Sequence, residues 1–200
     1  MTDPVVGWRL WRLSGGHLSS WAVEHSWEPG ENRATCLAPV GFPCTTPPGK
    51  HCQCGFWALW SPGACCERAR GVGEPSSHVL GLIAGWGTVA LHGREGFRAE
   101  RASITCLFRD SPSSAPPSTP LARRLLKWWQ NSWGQPHEHQ SRADPTTDRR
   151  RDRELEQAAH RYGVPLVSLH GAAEVGLLSE WGVSRQQIDE ARRLTAQPPV

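Results

Sequence analysis

The stretch from Val79 to Phe108 constrains the fold more than any other part of this chain. Val79 to Leu91 is apolar and rich in β-formers, yet Gly81, Gly85 and Gly87 interrupt it. Glycines at that density remove side chains where one backbone must approach another, which suits a strongly bent strand in a small barrel. His92-Gly93-Arg94-Glu95-Gly96 reads as a hairpin loop, and Phe97 to Phe108 returns with mixed polar and apolar positions. One long curved hairpin is expected as the spine of a β-domain.

Other strands gather around that spine. In Val5 to Leu13, the residues Val6, Trp8 and Leu10 share one parity and Arg9 falls on the other, as in a half-buried strand. Ser14-Gly15-Gly16 breaks it, so His17 to Val23 is expected to return as a hairpin arm. Phe56-Trp57-Ala58-Leu59-Trp60 is short and fully apolar, as in a buried strand. The chain holds eleven Trp but is only 38% hydrophobic, so Trp must supply burial that Leu and Ile elsewhere provide. A stacking surface built from some of these rings is the alternative.

Composition then shifts. Residues 110–120 carry four prolines and several serines, which favour an extended linker. An island at 121–133, LARRLLKWWQNSW, places Leu121, Leu125, Trp128 and Trp129 on one helical face beside Arg123, Arg124 and Lys127. It is expected to fold against a protein partner or the protein itself, with the flanking polar residues to 150 disordered. A helical tail follows at 152–195: Leu155, Ala158, Ala159 and Tyr162 keep helical spacing. Pro165 suits the first turn of a new helix, and Ser184 caps the last one. The expected fold class is thus α+β, with a small bent β-barrel or β-sandwich at 5–109, a linker at 110–150 and a small helical tail. The β-domain is expected to be self-sufficient and the tail an appendage.

No apolar run approaches the ~18–20 residues that span a bilayer, and Met1-Thr2-Asp3-Pro4 lacks the order of a signal peptide. A cytoplasmic protein without a membrane span is expected. Seven cysteines is an odd number, which in such a setting favours thiols or a metal site over a disulfide framework. Cys36, Cys44, Cys52 and Cys54 are separated by seven, seven and one residues. They sit in a loop with little apolar content that something must pin down. Four thiolates suit structural zinc, and metal binding would stabilise such a loop. Free thiols are the alternative, and redox chemistry a third. Cys65-Cys66 is poorly shaped for a shared site, and Cys106 fits a small buried hydrophobe.

The tail segment 174–193 resembles a helix-turn-helix: Gly182 for a positive φ in the turn, Val183 as the apolar anchor, Ser184 as the cap. That resemblance implies DNA as a partner, with Arg185, Gln186, Gln187, Arg192 and Arg193 reaching the groove or the phosphates. Leu178 departs from it, since Ala is usual there, and Asp189 and Glu190 add negative charge to the same helix. A plain helical bundle or a partner-docking tail are the alternatives.

No phosphate-binding glycine loop, nucleophile elbow or His-Glu-x-x-His motif occurs. His51 beside Cys52 is not expected to work as a nucleophile–base pair, and His17, His25, His78 and His92 are read as surface or loop residues. Cys52-Gln-Cys54-Gly55-Phe56-Trp57-Ala58 and the later Trp86-Gly87-Thr88-Val89 and Gly96-Phe97-Arg98-Ala99-Glu100 stretches resemble uncharacterised, Trp-rich proteins of high-GC Gram-positive bacteria over residues 5–108. The resemblance implies a shared β-domain and no activity. The expectation is a non-enzymatic binding protein, either a DNA-binding regulator or mobile-element accessory protein, or a protein-interaction adaptor. A thiol- or metal-dependent enzyme is the remaining alternative.

Overall fold

The structure, a computed structural model, describes residues 3–21, 23, 25–36, 44–69, 77–110 and 145–195. Strand β1 (Val5–Ser14) turns through Gly15-Gly16 into β2 (His17–Ser20), pairing Leu13 with Leu18. Two short strands, β3 (Asn32–Arg33) and β4 (Phe56–Leu59), precede helix α1 (Pro62–Arg68). The Ser61 hydroxyl caps α1 by accepting from the Ala64 N–H at 3.2 Å. The expected hairpin spine is present as β5 (His78–His92) and β6 (Gly96–Phe108).

The strand pairings run in a ring. β1 lies antiparallel to β5, β5 to β6, β6 to β4, and β4 returns to β1. That last closure is the single pair Trp8–Leu59, so the seven-stranded sheet curls on itself without becoming a regular barrel. The bend falls among the interrupting glycines: pairing shifts register between Leu82 and Ile83 and again between Trp86 and Val89. A Cβ on Gly85 would stand 2.6 Å from the Phe97 ring and 2.7 Å from the Ala99 methyl. Only the absence of a side chain lets β5 pass that close.

Both faces of the sheet are covered. Trp11, Val79, Ile83, Phe97 and Leu107 enter one core with Leu155, Ala158 and Tyr162 of α2 (Pro145–Tyr162). Trp8, Leu10, Leu80, Leu82 and Phe108 enter the other with Leu169, with Leu178 of α3 (Ala172–Glu180), and with Val183, Ile188 and Ala191 at α4 (Arg185–Thr195). Strands buried on both faces read as unbroken apolar runs, which is why Val79 to Ile83 shows no alternation. The same double burial reaches Arg9, on the parity opposite Trp8 and Leu10. Its parity partners Trp11 and Leu13 are core, and Arg9 itself is partly buried.

The expected division into a self-sufficient β-domain and an appendage is therefore not what is observed. Residues 152–195 supply apolar side chains to both cores, and Leu166–Val167 adds a seventh strand, β7, parallel to the end of β6 at Leu107 and Phe108. Pro165 leads into this strand rather than opening a helix. α2 begins at Pro145, ahead of the expected Asp152; within it Arg150 meets Glu154 one turn on at 3.0 Å, while Arg151 donates to the His78 carbonyl at 3.2 Å. The island at 121–133 and the linker from 111 to 144 lie outside the described residues. No helix among the described residues is long and apolar enough to cross a membrane.

Candidate metal centre

The loop that leads into β4 brings four cysteines together. The sulfurs of Cys36, Cys44, Cys52 and Cys54 all lie within 4.8 Å of one another, and each residue is half-buried. The Cys44–Cys52 separation is 3.5 Å, Cys44–Cys54 is 3.2 Å and Cys52–Cys54 is 2.6 Å. A tetrahedral ion with metal–sulfur bonds of about 2.3 Å needs sulfur–sulfur edges of ~3.8 Å. The three edges among Cys44, Cys52 and Cys54 are shorter than that, so these sulfurs must move apart to take an ion. The donor set fits: four soft donors, all free cysteines, with no carboxylate grouped with them among the described residues. This cluster can hold a metal ion.

Two residues absent from the sequence-based ligand set shape it. Gly49 passes so close that a Cβ there would lie 2.6 Å from Cys44 Cβ, 2.9 Å from its sulfur and 3.1 Å from the Cys52 sulfur. Its N–H donates to the Cys54 sulfur at 3.4 Å, and its carbonyl accepts from the Cys52 N–H at 3.4 Å. Arg98 on β6 is only 3% exposed despite its charge. Its Nη1 donates to the carbonyls of both Cys52 and Cys54, the latter at 3.0 Å, and its Nε donates to His92 Nε2 at 2.7 Å. The guanidinium also lies 5.4 Å from the Trp57 ring centre. Arg98 thus pins the Cys-Gln-Cys turn to the sheet and sets a fixed positive charge behind a cluster that becomes anionic on deprotonation. An arginine in a strand with apolar neighbours on both sides is the only sequence signal that points to it.

The thiols are not equivalent. Cys52 accepts from the Cys54 thiol, and this holds its pKa down to about 6. Burial, and then the neighbouring Cys52, push Cys54 up to about 12. Outside the cluster, Cys106 is fully buried in a strand as expected, and burial raises both it and Cys65. His51 is exposed. Of the histidines expected at the surface or in loops, His25 lies in a loop, half-buried against Phe56, whereas His78 and His92 lie in β5, His78 buried and His92 half-buried against Trp57.

The tail residues expected to reach DNA divide. Gly182 has φ +78°, Val183 is buried, and Ser184 and Gln187 cap each other's backbone N–H at 3.3 and 2.8 Å, so the local turn is as expected. Arg185, Gln186 and Arg193 are exposed. Gln187, however, donates to the Trp60 carbonyl at 2.5 Å, and Arg192 donates to the Leu169 carbonyl at 2.5 Å and meets Asp189 at 3.4 Å. Glu190 accepts from the Ser61 hydroxyl at 2.9 Å. One side of α4 is thus spent on α1 and the sheet.

Comparison with protein-family models, curated proteins and solved structures finds no match to this chain.

Proposed function

We propose that this protein is a non-enzymatic binding protein whose Cys36, Cys44, Cys52 and Cys54 hold one structural zinc ion. The observation that carries the reading is the convergence of the four sulfurs within 4.8 Å. A set of four cysteines leaves no open coordination position, the arrangement of structural rather than catalytic zinc. The loop has few apolar side chains, so a metal supplies the cross-link that packing does not. Arg98 and the Gly49 N–H act as the outer partners that such sites use to orient thiolates.

The binding role rests on position. Cys36, Cys52 and Cys54 line a cleft of about 900 Å³, so a metal there fixes one of its walls. Binding of DNA through α4 has less support, because Gln187 and Arg192 are engaged within the molecule.

Metal analysis of protein purified without added zinc tests the reading. One zinc per chain is expected, along with the tetrahedral thiolate spectrum of cobalt after exchange, and both should be lost in Cys52→Ser. Folded, reduced protein that holds no metal and takes up no cobalt overturns it.

A further inference from the structure

β5 outruns one of its neighbours. β6 pairs with one edge of it as far as His92, but on the other edge β1 stops at the Val5–Gly85 pair. From Trp86 to His92 no strand among the described residues lies along that outer edge. The other strands with a free edge are short, two residues in β3 and β7 and four in β2 and β4. Folded proteins commonly guard a long edge with a Lys, a Pro or an inward charge. Thr88-Val89-Ala90-Leu91 carries none of these. Gly87, at φ +77°, and the register shift ahead of Val89 confine the irregular backbone to the start of the edge.

The backbone fixes which groups that edge offers. The His92 carbonyl accepts from the Glu95 N–H inside the hairpin turn at 2.9 Å, so His92 faces β6. Backbone N–H and C=O groups alternate sides along a strand, so Ala90 also faces β6, while Val89 and Leu91 present theirs outward. Two outward residues flanking one inward residue are self-complementary. Set antiparallel against a second copy, Leu91 exchanges both hydrogen bonds with Val89 of that copy, and Ala90 meets its own counterpart on a two-fold axis. The side chains suit this register. Leu91 is 68% exposed, the most exposed large apolar residue among those described, and Val89 is half-buried. Both stand on the face of Phe97, which pairs with Leu91 and stacks with Trp60 at 5.3 Å. The small Ala90 falls where the two strands cross. Charge agrees as well. The strand of the second copy continues the line of β1, which brings its hairpin tip to the start of β1. Arg94 is exposed at that tip and Asp3 is exposed just before β1, and neither forms an ion pair among the described residues.

We propose that the outer edge of β5 from Thr88 to His92 pairs antiparallel with the same edge of a second copy of this chain, with Ala90 on the two-fold axis, Leu91 against Val89 and Arg94 against Asp3. This goes beyond the metal reading and does not rest on it, since none of the four cysteines lies on that edge.

Sedimentation velocity of the full-length protein across the micromolar range tests this. Twice the mass of one chain is expected at the upper end, falling to the single-chain mass on dilution. Leu91→Lys, at an exposed position, should give the single-chain mass throughout while leaving the near-ultraviolet dichroism unchanged. Arg94→Glu sets like charges against Asp3 of the second copy on both sides of the axis and should weaken association about tenfold. Adding Asp3→Arg to Arg94→Glu should restore it. A protein that stays at the single-chain mass overturns the proposal, whether the edge then takes a strand from another protein or another segment of its own chain. So does a dimer that survives Leu91→Lys, or one that the reversed charge pair does not recover. Should Leu91→Lys not fold, the Arg94 and Asp3 variants still decide it. Metal content measured on the same samples separates failure here from failure of the zinc reading.

Discussion

The hydroxyl of Tyr162 accepts a hydrogen bond from the Leu18 backbone N–H at 2.9 Å, tying the end of α2 to the first hairpin across 144 positions of sequence. The same hydroxyl donates to the Trp27 carbonyl at 3.0 Å. Tyr162→Phe leaves a buried N–H and a buried carbonyl without this partner. A loss of about 1–3 kcal/mol of stability is expected, read from urea or thermal unfolding. A change within experimental error would mean that the hairpin does not depend on the tail.

Removal of residues 145–200 has a larger expected effect. It uncovers Trp11, Val79 and Leu107 on one face of the sheet and Leu80, Leu82 and Phe108 on the other. The truncated chain should be aggregated or unfolded, with no cooperative transition. A monomeric fragment with native near-ultraviolet tryptophan dichroism would contradict the shared cores.

Arg98 supports the cysteine loop without touching the sulfurs through its side chain. Arg98→Met should leave the four ligands intact and lower metal affinity by roughly 10–100-fold, the usual range for lost outer partners. Competition with a chromogenic chelator measures this. Gly49→Ala should act in the same direction, because its new methyl must displace the Cys44 side chain.

The buried thiols predict both reactivity and a pH response. Cys106 should resist alkylation in the native protein at pH 8, since only thiolate reacts and burial pushes its pKa up to about 12 from 9.0. Mass mapping of native and denatured samples checks this. The raised value favours the protonated folded form. Its contribution to stability is therefore full below pH 9.0 and is lost as pH rises toward about 12. Cys106→Ala should flatten the alkaline limb of the unfolding curve.

Gln187 joins two features, its capping pair with Ser184 and its bond to the Trp60 carbonyl. Gln187→Ala should cost about 1 kcal/mol or more of stability. Arg185→Ala, at an exposed position, should cost almost nothing in the same assay.

Local rules were legible in the chain. The β5–β6 hairpin followed from the spacing of apolar residues and glycines, the α4 cap from Gly182-Val183-Ser184, and the four cysteines from their clustering in an irregular loop. Each depends on residues near one another in sequence, where backbone conformation and side-chain type act directly. What the tertiary structure alone decided was which surfaces meet. The unbroken run Val79 to Ile83 announces burial on both faces but cannot name the covering elements, and these turned out to be α2 on one side and α1, α3 and α4 on the other. That Arg9 and Arg98 are covered was not legible, because a charge is buried or solvated according to what packs over it. Their neighbours, Trp57 for Arg9 and Cys52 and Cys54 for Arg98, lie more than forty positions away, and only the closed sheet brings them together.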